Sequence, residues 1–193
     1  KTTISANDGY VKNGVIKILD LDNDSYIIDP SLPTNFQTEL GLSNEFGDVI
    51  INQSLLSGIN NFIVELHPIP AFHNFRNQQI VIEGTVDVYT SKRITDIFSN
   101  TFNTSTANLE KLLVTPLTTL KTDIVKSKIA SGASVDISKE ISNANTKLQT
   151  FFGLTDKQIN EDNPLTKVND AASSVQEKKE AAQAVKAIKQ VVS

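Results

Sequence analysis

The hydrophobic pattern changes its period near the middle of the chain. Through residue 90, apolar positions come in short runs broken by Gly, Pro, Asn and Asp. Val15-Ile16-Lys17-Ile18-Leu19-Asp20 reads as a half-buried strand, and Tyr26-Ile27-Ile28 as a short second one, stopped by Pro30 and Pro33. Further runs follow at 47–51, 61–66 and 79–84. Asp8-Gly9 and Asn13-Gly14 supply the positive φ angles of tight turns. Short strands at such spacing predict an antiparallel sandwich or partial barrel.

From Thr115 the period becomes helical. Thr115-Pro116 pairs a capping threonine with proline at the first helical position. Leu117, Leu120, Ile124, Val125 and Ile129 lie along one stripe, and Gly132 is placed to end that helix. A second helix starts near Ser134, turns Ile137, Ile141, Ala144, Leu148 and Phe151 inward, and closes at Gly153. After Asn163-Pro164 one long pattern runs through Val168, Ala171, Ala172, Val175, Ala182, Val185, Ile188 and Val192. The expected fold is therefore α+β: an N-terminal antiparallel β-sandwich at 1–90, a linker at 91–106, and a C-terminal bundle of about three helices at 107–193.

These segments resemble a recurrent unit of bacterial cell-surface proteins and adhesins. Its opening β-module is of the prealbumin-like, carboxypeptidase-regulatory type, similar to Asp8-Gly9-Tyr10 with the strand and Asp/Asn-rich loop that follow. A helical segment opening on Val-Thr-Pro-Leu-Thr-Thr-Leu comes next, matched here by Val114 through Leu120. Phe152-Gly153-Leu154 and Asp162-Asn163-Pro164 are similar to later motifs of the unit. Residues 35–75 match poorly. The resemblance implies display outside the cell or at its surface.

Composition narrows the function classes. With no cysteine, disulfides, thiolate metal sites and thiol nucleophiles are all excluded. The chain contains no methionine and opens on Lys1, so a mature or trimmed product is expected. No apolar run reaches the roughly 20 residues of a membrane helix, so no transmembrane segment is expected. Arg76 and Arg93 are the only arginines, too few for a nucleic-acid surface. Through Thr90, eleven acidic residues face four basic ones, a balance of −7; from Ser91 on, eleven face fourteen, a balance of +3. That asymmetry reads either as two solvated surfaces or as head-to-tail attraction between copies.

Two candidate sites stand out. Asp20, Asp22 and Asp24, with Asp29 beyond them, place carboxylates at alternate positions of a tight loop, a spacing suited to calcium. The loop lacks the sixth-position glycine and twelfth-position glutamate of an EF-hand, so a plain acidic turn is the competing reading. At the N-terminus, Thr3 and Ser5 alternate with Thr2, Ile4 and Ala6. These residues either add as a strand to a neighbour's sheet or form the first strand of their own. His67 and His73 flank two prolines and have no further ligand in sequence. No Gly-x-Ser-x-Gly turn or Gly-rich phosphate loop occurs, and no catalytic residue is assigned. The expected function is thus non-enzymatic: a subunit or scaffold module of a filament or adhesin. Its partners would be copies of itself or neighbouring modules, with calcium the one candidate cofactor. An adhesion module recognising glycan or protein is the alternative, with Phe72 and Phe75 as its aromatic pair.

Overall fold

The computed structural model describes residues 1–132 and 134–192, the last without its side chain. Twelve strands come in chain order: β1 (Thr2–Ala6), β2 (Val11–Lys12), β3 (Val15–Asp20), β4 (Ser25–Tyr26), β5 (Gly41–Leu42), β6 (Asp48–Ile51), β7 (Asn61–His67), β8 (His73–Phe75), β9 (Gln79–Val81), β10 (Val86–Asp87), β11 (Phe98–Asn103) and β12 (Lys111–Val114). Five α-helices follow among the described residues: α1 (Pro116–Ala130), α2 (Ile137–Phe152), α3 (Asp156–Asn160), α4 (Pro164–Asn169) and α5 (Val175–Val192). The fold is α+β, with antiparallel strands before a helical region, as the change of period predicts.

Two sheets carry the core. One has the order β12-β1-β6; the other runs β11-β7-β3-β4, with β5 also on β3. The alternation in β3 and β7 sends Ile16, Ile18, Phe62, Val64 and Leu66 to one face. There they meet Ile4 and Ala6 of β1, Val49 and Ile51 of β6, and Leu112 and Val114 of β12. Phe98 and Phe102 of β11 complete the cluster, and Phe102 stacks on Phe62 with centroids 5.5 Å apart.

Two departures matter for function. First, 91–106 is not a bare linker: it contains β11, paired with β7 over six residues from Phe98↔Leu66 to Asn103↔Asn61. Likewise β12 lies inside the segment expected to be helical, and it pairs parallel with β1. The Phe-Ser-Asn-Thr-Phe-Asn run of β11 is too polar to announce a buried strand, because its polar positions are satisfied by the helical layer rather than by water. Second, the long C-terminal pattern breaks in two. Asp170 accepts from Ala172 N at 2.9 Å, turning the chain. Ser174 and Glu177 then cap each other's backbone N–H groups, restarting the helix at α5. Val175 ends 74% exposed, and the buried stripe of α5 is Ala181, Ala184, Ala187 and Ile188. The side chain of Val192, last in the predicted stripe, lies outside the described set. In α2, Ile141, Ala144 and Leu148 are buried as expected, but Phe151 is 82% exposed; Phe152, four residues after Leu148, continues the inward face. Gly153 stops α2 at φ +66, the left-handed conformation that favours glycine.

Candidate functional site

The most unusual chemistry lies where α1 crosses β11. Thr115 and Thr118 form a reciprocal capping box at the start of α1. The same Thr118 hydroxyl donates to Ser99 O at 2.7 Å, while Ser99 N donates to Thr119 Oγ1 at 3.0 Å. One turn on, Thr122 and Thr101 share a buried hydroxyl pair at 2.8 Å. The Thr-Pro-Leu-Thr-Thr motif is therefore a seam that bonds the helix to the sheet.

The face of α1 that meets the sheet carries Leu117, Thr118, Lys121, Thr122 and Val125, all buried. Leu120, predicted inward, is instead exposed. Lys121 is 2% exposed. Its Nζ donates to Asn160 Oδ1 at 2.8 Å and sits 5.1 Å from the centre of the Phe102 ring. Burial pushes the amine down to about 7, with the Asp156 carboxylate acting the other way.

Polar neighbours fix the Asn160 carboxamide in one orientation. Its oxygen takes a second bond from Asn100 Nδ2 at 3.0 Å. Its Nδ2 donates to Asn145 Oδ1 at 2.7 Å and to Asp156 Oδ1 at 2.9 Å. Asn100 is itself pinned: Nδ2 also reaches Leu113 O at 2.8 Å, and Oδ1 accepts from Thr101 N at 2.8 Å. The Thr155–Gln158 capping box sets α3 so that Asp156 and Asn160, four apart, share a face. A cavity of about 370 Å³ opens beside Lys121, Asn145, Asp156 and Asn160. An unprotonated amine in such a place is both a hydrogen-bond donor and a nucleophile.

The residues singled out from sequence go elsewhere. Asp20 is buried and closes its own turn, accepting from Asp22 N at 3.0 Å and Asn23 Nδ2 at 2.7 Å. Asp22 turns to β7, accepting from Asn61 N at 3.1 Å. Asp24 takes the turn's positive φ, at 50°. Asp29 caps Ser31, whose N–H and hydroxyl hold its carboxyl below the usual range. The four carboxylates do not converge, and among the described residues no three His, Cys, Asp or Glu side chains are grouped to hold a metal. Thr2, Thr3, Ile4, Ser5 and Ala6 form the middle strand of their own sheet, with β12 on one side and β6 on the other. Phe72 is 71% exposed while Phe75 is buried, so the aromatic pair is divided.

His67 joins a different cluster. Glu65 lies between Tyr26 Oη at 2.6 Å and His67 Nε2 at 2.9 Å, with Lys126 of α1 at 4.0 Å. Burial pushes Glu65 up, but the His67 and Tyr26 bonds outweigh it and hold the carboxyl below its ordinary range. Burial and the Glu65 bond push Tyr26 up to about 12.

Sequence reading missed Lys121, Asn100 and Asn160. One signal was present: Lys121 lies four residues after Leu117 and four before Val125, on the face of two apolar anchors. Comparison with family models, curated proteins and solved structures finds no match.

Proposed function

We propose that the chain is a non-enzymatic structural module of a bacterial assembly outside the cell. Copies of itself or neighbouring modules of a surface protein are its partners. The observation that carries this reading is the position of β1 as the middle strand of its sheet, parallel to β12. Tension along β1 shears two ladders together, so their bonds resist jointly rather than opening one at a time. β12 passes through Thr115 directly into α1, and α1 is bonded to β11, so tension on the sheet reaches the helical layer. The resemblance of the turn, strand and Val-Thr-Pro-Leu-Thr-Thr-Leu segments to adhesin units supports the same reading. Head-to-tail assembly in this scheme is strand exchange: Thr2–Ala6 of one copy leaves its own sheet and completes the next. Among the described residues no helix is long and apolar enough to cross a membrane.

Single-molecule pulling tests the proposal. Handles at Lys1 and at a Ser131→Cys thiol grip β1 at its start and the β12–α1 segment at its far end, so the parallel pair is sheared. The chain has no other cysteine, which makes the handle unique. A single cooperative rupture at high force is expected. Gradual extension at low force would remove the mechanical basis of the proposal.

A second reading, an adhesion module for glycan or protein, is favoured by one surface. A groove of about 890 Å³ between α1 and α2 is lined by Leu120, Ile124, Leu148 and Phe151. The exposed Phe151 ring offers a face on which a sugar can stack. Glycan-array binding lost in Phe151→Ala would select this reading over the purely structural one.

A further inference from the structure

We propose that Lys121 and Asn160 become joined by an intramolecular amide bond, formed within the folded chain with release of ammonia. The reacting groups are already in contact: Nζ is 2.8 Å from Asn160 Oδ1, one bond from the carbon it would attack. A small rotation about the Lys121 side-chain bonds turns the nitrogen lone pair from Oδ1 to Cγ. Holding two groups this way replaces an encounter with an effective concentration of about 10⁵ M or more.

Each partner of the carboxamide matches a need of the reaction. Asn100 Nδ2 donates to Oδ1 at 3.0 Å, where negative charge develops when Cγ becomes tetrahedral. Asp156 Oδ1 accepts from the leaving nitrogen at 2.9 Å, the place for a group that carries a proton to it. Lys121, Asn100 and Asn160 are all buried. Burial also holds the amine down to about 7, so much of it is unprotonated at neutral pH. The adjoining cavity gives ammonia a way out.

The step balances without a cofactor. The Nζ lone pair forms the Nζ–Cγ bond while the carbonyl π pair moves onto Oδ1. In the tetrahedral species Nζ and Nδ2 sit on the same carbon, and Asp156, which already accepts from Nδ2, passes the proton lost by Nζ to the leaving nitrogen. The Oδ1 pair returns to re-form the carbonyl, the Cγ–Nδ2 bond breaks, and ammonia leaves. One amine and one primary amide become one secondary amide and one ammonia, with no change of oxidation state. The new bond ties α1 to α3 across 39 residues of sequence.

Mass spectrometry of the intact purified chain and of its tryptic digest tests this. The expected mass is the sequence mass less one ammonia, with a branched peptide in which trypsin no longer cuts after Lys121. Succinimide closure at an asparagine such as Asn13, before Gly14, loses the same mass, so the branched peptide decides. Lys121→Met keeps the side chain as far as Cε without the amine and should restore the full mass. Asp156→Asn leaves both reacting groups in place and should slow linkage at least tenfold, read from the mass over days at pH 8. Circular dichroism of each variant verifies its fold. A folded wild-type chain with full mass after weeks at pH 8 and no branched peptide would overturn the proposal. So would an ammonia loss that persists in Lys121→Met.

Discussion

The strand β11 separates two kinds of packing. Phe98 and Phe102 reach the sandwich core among Ile, Val, Leu and Phe. Ser99 and Thr101 meet α1 through hydroxyl and backbone bonds. The apolar side gains from area removed from water and accepts approximate shapes. The polar side gains little net energy per bond but loses heavily when one partner is missing. Such an interface therefore fixes one arrangement of helix on sheet, while the sandwich core supplies most of the stability.

The contrast breaks most sharply at Phe62. Phe62→Ala opens a cavity under Phe102 and is expected to destabilise by about 3–5 kcal/mol in denaturant unfolding. A loss below about 1 kcal/mol would mean that the core is not where the stability lies.

Lys121 has the next largest expected effect, read against pH. Its folded value, about 7, lies below the ordinary lysine value of 10.5. Between these limits the unfolded chain binds more protons than the folded one, so stability rises with pH, by a few kcal/mol across the window. This slope belongs to the free amine. It is expected wherever the amine is still unlinked, as in freshly prepared Asp156→Asn, and should vanish in Lys121→Met. Melting temperatures from pH 6.5 to 10 check it.

Thr118→Val removes the half of the capping box made by its own hydroxyl and the bond to Ser99 O together, and should cost about 1–2 kcal/mol. A neutral result would reduce the polar seam to mere contact. Asp22→Ala, which frees the bond to Asn61 N, should cost about 1 kcal/mol, with a melting temperature indifferent to chelator before and after the change. The smallest effect is expected at Thr2, whose Oγ1 is buried without a partner. Thr2→Val should be neutral or stabilising by up to about 1 kcal/mol.

What could be read from sequence follows the same division. The strands around 15–20 and 61–66 show their alternation or their apolar run directly, and Thr115-Pro116 and Gly153 mark helix ends by local chemistry. β11 looks like linker in sequence because Ser99, Asn100 and Thr101 carry no apolar signal; their partners lie 13 to 60 residues away. The pairing of β1 with β12 joins residues more than 100 apart, beyond any local pattern. The apolar stripe of α1 pointed to Leu120, whereas hydroxyl bonding turned Thr118, Lys121 and Thr122 inward. Of the candidate cluster, only the capping threonines were legible. A lysine or asparagine of this kind reveals itself only once its partners are in place.

Through that seam the helical layer and the sheet form one cooperative body. Hydrogen exchange under mild denaturant measures this directly, by comparing the amide of Val125 in α1 with that of Val64 in β7. Equal opening free energies, converging on the global value, are predicted. Exchange at Val125 a hundredfold or more faster than at Val64 would mean that α1 opens alone, and would contradict the account.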